Sequence, residues 1–197
     1  MSKKLAVGIS GSFCNHSKCL EVLQELQQQG YDISIVVTPN VLQYDTRFGT
    51  SKDFLKKLEE ITLHPLITTI VEAEWAVNQK QFDQMLIMPC TATTLSKLTH
   101  GNYENAVILC AKSLLRNQHP ITLAIASNDS LGISGVNIMQ LMNTKNIFFV
   151  PFGQDDYKNK PNSLVSDFTK VLDSIESAYH KVQLQPVLLG PKGGEHV

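Results

Sequence analysis

Charge of either sign is scarce here. In 197 residues, 17 lysines and arginines nearly balance 18 aspartates and glutamates, for a formal net charge of -1. A chain so balanced lacks the basic footprint that binding to nucleic acid or to an anionic membrane surface requires. No apolar run reaches the length of a membrane span, and Lys3-Lys4 is followed by only a strand-length apolar stretch. No signal peptide is expected, and the cytoplasm is the expected compartment. The four cysteines (Cys14, Cys19, Cys90 and Cys110) form no CxxC pair and have no histidine at zinc-site spacing. They read as free thiols, with no metal site. Neither GxxxxGK[ST] nor GxGxxG occurs, which sets aside a Walker loop and an ordinary dinucleotide fingerprint.

What is present is an alternation of strand and helix patterns in a chain that is 43% hydrophobic. Lys4-Leu5-Ala6-Val7-Gly8-Ile9 reads as a buried strand broken by Ser10-Gly11-Ser12, with a helical pattern from near His16 to Gln29. Residues 31–37 form a β-branched strand stopped at Thr38-Pro39-Asn40, which completes a parallel βαβ unit. Further strands are predicted over residues 66–71, 82–89, 121–126 and 146–150. Helices are predicted over 51–61, after Cys90, over 105–117 and 134–142, and a last amphipathic one over 164–182. Residues 41–49 and 152–162 read as loops. The sum is an α/β fold: a flavodoxin- or Rossmann-like, doubly wound, mainly parallel six-stranded sheet with helices on both faces. Residues 1–182 are expected to form one domain. Residues 183–197, with Pro186, Gly190, Pro191, Gly193 and Gly194, read as an extended tail, disordered or laid onto a partner.

Ligands on such sheets bind beyond the carboxyl ends of the strands. Four glycine- or hydroxyl-rich turns fall there: Gly8 with Ser10, Gly11 and Ser12; Thr38; Thr91 with Thr93 and Thr94; and Ser127 with Asn128 and Asp129. Backbone N–H groups, helix dipoles and hydroxyls together favour an anion such as phosphate. The knot Asp45-Thr46-Arg47-Phe48-Gly49 reads either as an exposed loop with a local Asp–Arg pair or as a substrate loop. In the second case the Arg47 fork suits a carboxylate.

The stretch Pro89-Cys90-Thr91-Ala92-Thr93-Thr94, followed by Lys97 and Gly101, resembles the Pro-Ala-Ser-Ala-Asn-Thr motif of the flavoprotein family. That family includes cysteine decarboxylases and flavin prenyltransferases. Its later Pro-Ala-Met-Asn motif is echoed by Ala126-Ser127-Asn128, with Asn137 further on. The resemblance implies that Ser10, Gly11, Ser12, Thr91 and Thr94 hold the phosphate of flavin mononucleotide (FMN). Two departures argue against decarboxylation of a peptidyl cysteine. Thr93 replaces the asparagine that grips the substrate carboxylate, and Glu72, Glu74 and Trp75 stand near the place of the active-site histidine.

Over nearly its whole length the chain is similar to one branch of that family, the B subunits of bacterial dipicolinate synthases. The strings that carry this are residues 45–49, Ile70-Val71-Glu72-Ala73-Glu74, Leu115-Arg116-Asn117-Gln118, Asn143-Thr144-Lys145-Asn146-Ile147, residues 150–155 and 160–164, and Leu184-Gln185-Pro186-Val187. The branch implies oxidation of dihydrodipicolinate to dipicolinate in the mother cell of a sporulating bacterium. It also implies an A subunit that carries the NAD(P) site, and the resemblance to the wider family implies assembly as a trimer or a multiple of it. In such a reaction Arg47 is the candidate carboxylate clamp, and Asp45, Glu74 and Asp129 are candidate bases, each equally open to a structural role. A non-catalytic partner that kept only the fold and its phosphate site, and a stand-alone flavin-dependent decarboxylase or prenyltransferase, are the alternatives.

Overall fold

A computed structural model describes residues 3–190. The chain opens with β1 (Lys4–Ile9), a 3-10 turn (Phe13–Asn15), α1 (His16–Gln28), β2 (Asp32–Val37) and a short α2 (Pro39–Gln43). It continues through α3 (Ser51–Thr62), α4 (Ile70–Lys80), β3 (Gln84–Cys90), α5 (Ala92–His100), α6 (Ala106–Arg116) and β4 (Ile121–Ser127). The last elements are α7 (Gly135–Met142), β5 (Ile147–Phe149), β6 (Phe152–Gly153), β7 (Leu164–Ser166), a 3-10 turn (Phe168–Lys170) and α8 (Val171–Tyr179).

β2, β1, β3 and β4 lie side by side and parallel. At β4 the sheet forks. Ile121 to Leu123 pair parallel with β5, whereas Ala126 and Ser127 pair antiparallel with β7, which in turn carries β6. Ser166 closes the fork: its hydroxyl accepts the Ile125 N–H at 2.8 Å and donates to Val150 O at 3.2 Å. Among the described residues seven strands thus replace the predicted six, in the expected mostly parallel α/β arrangement. One core lies under α4, α5, α6 and α7, with Ala73, Leu95, Val107 and Ile138 fully buried. The opposite core, with Leu23, Leu58 and Ile175, lies under α1, α3 and α8.

The strand predicted over residues 66–71 is absent. Only Ile67 reaches the sheet, exchanging backbone hydrogen bonds with Ile35 and Val37 at the β2 edge. Thr69 then starts α4 with a reciprocal cap: its side chain takes the Glu72 N–H and Glu72 Oε2 takes the Thr69 N–H at 3.0 Å. Ile70 and Val71, which resemble the end of a strand, are the exposed first turn of that helix. The helix predicted over 164–182 begins as β7 and becomes helical only at Phe168, because Ser166 is held in the fork.

Beyond α8, Gln183 clamps both the N–H and the carbonyl of Phe149 with its side-chain amide, each at 2.8 Å. Phe152 donates to Val187 O and accepts from Leu189 N, so this segment runs along β6 rather than away from the fold. Pro191, Gly193, Gly194 and the rest of the tail after Gly190 lie outside the described residues. All four cysteines are unpaired, and burial pushes the Cys110 thiol up to about 12.

Candidate functional site

Strand order reverses between β1 and β3, which makes the space beyond their carboxyl ends the topological switch point. Two turns meet there through one buried hydroxyl. Ser10 Oγ donates to Pro89 O at 2.6 Å, accepts the Thr91 N–H at 3.2 Å and lies 3.4 Å from Thr91 Oγ1. Thr91 Oγ1 caps α5 by accepting from Thr94 N and sits 3.1 Å from Thr94 Oγ1. Gly11 and Ser12 are half-buried above this knot, and Thr93 is exposed on the first turn of α5. Ser12 Oγ accepts from Asn15 Nδ2 at 2.9 Å.

The end of β2 abuts the same turn, since a Cβ on Gly11 would stand 3.5 Å from Asn40 Cβ. Thr38 is tied there through its N–H to Ile9 O, yet its buried Oγ1 has no partner among the described residues. Residues 10–12, 38–40 and 91–94 include no carboxylate. Hydroxyls and backbone N–H groups without competing acidic side chains are a donor set that fits a phosphate. Gly8 lies one step back, inside β1. A Cβ there would meet Val107 Cγ1 at 2.8 Å, so its missing side chain lets α6 pack on the sheet.

The fourth turn closes on itself. Ser127 Oγ accepts the Asp129 N–H at 3.2 Å, and Asp129 Oδ2 accepts from both the N–H and the hydroxyl of Ser134, the latter at 2.8 Å. Asn128 is exposed. Beneath the turn, Ser130 Oγ and Asn137 Oδ1 are buried without partners among the described residues.

Beside the β1 turn, a cleft of about 180 Å³ opens between the start of α1, the loop over residues 44–50 and α3. Phe13, Tyr44, Phe48 and Phe54 line it, together with Cys14, His16, Asp53 and Lys57. The loop is folded by paired backbone bonds between Thr46 and Gly49. It holds no Asp45–Arg47 pair: Asp45 Oδ1 accepts from Ser51 N at 2.8 Å, and the Arg47 guanidinium stacks 4.9 Å from the Phe48 ring centre. Glu72 is held by its cap, whose backbone hydrogen bonds from Thr68 and Thr69 keep its carboxyl below the usual range. Glu74 and Trp75 are exposed on α4, away from the cleft lining.

The side chain that sequence reading passed over is His16, noted there only as the start of a helix. It is buried, stacks on Phe54 at 4.0 Å with an 11° tilt, meets the Phe13 ring edge-on, and places Nε2 3.0 Å from Ser10 O. Burial lowers its pKa, against the opposing hydrogen bond to Ser10. Its one sequence signal is a histidine in the first helical turn after a hydroxyl-rich strand end.

A profile of the flavoprotein family matches residues 1–179. The dipicolinate synthase B subunit of Bacillus subtilis (strain 168) is 41% identical over 187 residues, which is 95% of this chain and 94% of that protein. The crystal structure of the dipicolinate synthase B subunit from Bacillus halodurans C aligns with a TM-score of 0.88 at 38% identity, over 97% of this chain and 100% of that one. At the level of fold alone, AnUbiX (PadA1), solved in complex with FMN and dimethylallyl pyrophosphate, gives a TM-score of 0.63 at 14% identity over 77% of this chain and 78% of that one. No helix among the described residues is long and apolar enough to cross a membrane. The chain belongs to the flavoprotein family, and within it resembles dipicolinate synthase B subunits along nearly its full length.

Proposed function

We propose that this chain is the B subunit of a dipicolinate synthase, working with an NAD(P)-binding A subunit to oxidise dihydrodipicolinate to dipicolinate in the mother cell of a sporulating bacterium. The identity to the Bacillus subtilis protein over 95% of the chain supports the pairing with an A subunit. The observation that carries the cofactor assignment is the carboxylate-free knot at the switch point, where Ser10 joins the β1 and β3 turns and Thr38 Oγ1 is left buried without a partner.

In this reading Ser10 fixes the two turns, and Gly11, Ser12, Thr38, Thr91, Thr93 and Thr94 hold the phosphate of FMN. Bound there, a flavin supplies a two-electron acceptor. Lys57, in the cleft lining, meets one substrate carboxylate. Arg47, exposed on the loop beside the cleft and outside its lining, is the candidate for the other, and the aromatic cleft excludes water from the ring. Exposed apolar side chains on α4 (Ile70, Val71, Trp75) and at α7 (Ile133, Val136, Met139) supply surface for a trimeric assembly.

One observation favours a second reading, in which the chain positions substrate for the A subunit without flavin. The candidate bases Asp45 and Asp129 both accept hydrogen bonds from nearby chain, Asp45 from the first residue of α3 and Asp129 from Ser134. Reconstitution tests the two together. The purified chain is loaded with FMN or left without it, mixed with the A subunit and NAD(P), and assayed for dipicolinate formation. Turnover that needs the flavin supports the first reading. Full turnover without flavin supports the second, and no turnover in either case contradicts both.

A further inference from the structure

The hydrogen bonding of His16 decides which of its ring nitrogens carries the proton. Nε2 faces Ser10 O at 3.0 Å, and a carbonyl oxygen only accepts, so Nε2 is the N–H of the neutral ring. Nδ1 is therefore a bare lone pair, and the one hydrogen bond of the ring among the described residues is that of Nε2. The ring cannot swing to find another, because Phe54 lies flat against it at 4.0 Å and Phe13 meets it edge-on at 5.2 Å. The cleft that it lines also presents the titratable groups Cys14, Tyr44, Asp53 and Lys57. Of these, Asp53 accepts the Thr50 hydroxyl at 2.7 Å. Burial keeps the imidazole neutral at pH 7, so the acceptor is in place before any ligand arrives.

We propose that His16 is the proton acceptor of this cleft, taking a proton through Nδ1 from a planar ring substrate with a carboxylate facing Lys57. The proposal rests on the dipicolinate synthase reading for the identity of the ring. Aromatisation of a dihydropyridine dicarboxylate removes a hydride and a proton from adjacent ring atoms. The hydride leaves with both electrons of its C–H bond to an acceptor of the flavin or nicotinamide class. The proton passes to His16 Nδ1, and the electron pair it leaves behind forms the new ring double bond. His16 becomes imidazolium and returns its proton to water. A buried base beside aromatic walls does this while the cleft's own carboxylate, Asp53, is held by the Thr50 hydroxyl and Asp45 and Asp129 are tied elsewhere.

The test uses the chain reconstituted with its A subunit. His16→Gln keeps an N–H for Ser10 O and removes the basic nitrogen, while His16→Phe keeps the ring stack and removes both. His16→Gln is expected to lower kcat on the order of 100-fold or more, with KM and FMN affinity little changed and the acidic limb of the pH–rate profile lost. A wild-type kcat in His16→Gln overturns the proposal and leaves the dipicolinate synthase assignment standing. Absence of turnover in the wild type overturns the assignment instead, and the cleft is then read directly. Histidine nitrogen NMR shifts should show a bare Nδ1 on His16, and pyridine-2,6-dicarboxylate as the probe should move that signal. A protonated Nδ1 in the free protein, or no response to the probe, overturns the proposal.

Discussion

At the scale of single residues, the same residue type does different work at neighbouring positions. Gly8 and Gly11 look alike in the sequence as parts of one small-residue turn, yet a Cβ on Gly8 would meet Val107 at 2.8 Å, whereas one on Gly11 would meet Asn40 and Phe13 at an ordinary 3.5 Å. Gly8→Ala is expected to cost about 1–3 kcal/mol by overpacking, measured as a shift in the urea midpoint at constant slope. An unchanged midpoint would show that α6 yields without strain. His16 gives stability a pH dependence of known sign. Its folded pKa lies below 6.5, so between that value and 6.5 the unfolded chain binds more protons than the native one. The contribution is whole above 6.5 and is lost as pH falls toward the folded value. Relative to His16→Gln, the wild type should therefore lose Tm as pH falls from above 6.5 to below it. Parallel Tm curves would contradict this.

At the scale of elements, two local devices decide what the chain does where its apolar pattern is ambiguous. The run Leu66-Ile67-Thr68-Thr69-Ile70-Val71 has the β-branched content of a strand, but Thr69 and Glu72 stand at capping-box spacing and start α4 instead. That signature is present in the sequence, where the β-branched composition outweighs it. Thr69→Ala should cost about 1 kcal/mol, read by chemical denaturation. At the fork, Ser166 serves β4 and the chain leaving β5 at once. Ser166→Ala leaves the buried Ile125 N–H and Val150 carbonyl without that hydroxyl and is expected to cost about 1–3 kcal/mol. Amide exchange at Ile125 should rise with it, and wild-type protection there would contradict the role assigned to the hydroxyl. No sequence pattern shows such a fork, because strands of two or three residues carry no period of their own.

At the scale of the whole molecule, the parallel half of the sheet was legible because β1, β2, β3 and β4 are each a near-continuous apolar run set off by a turn or a proline. The hydroxyl-rich strand ends were legible for the same reason, and the fold brings Ser10, Thr91 and Thr94 into one hydrogen-bonded knot. What could not be read is whatever depends on contacts between distant segments. The cleft at His16 exists because α3 and the loop over residues 44–50 fold against the start of α1, and the seats of Gln183 on β5 and of residues 187–189 on β6 depend on the same kind of long-range contact.

Whether the switch point holds a flavin phosphate is tested most directly by titrating the ligand-free protein with FMN and following flavin fluorescence, with riboflavin as the control that lacks the phosphate. Saturable binding of FMN is expected, with much weaker binding of riboflavin and loss of FMN binding in Ser12→Asp by like-charge repulsion. Equal binding of FMN and riboflavin, or no binding of FMN by a protein that still activates the A subunit, would contradict a flavin site at this position.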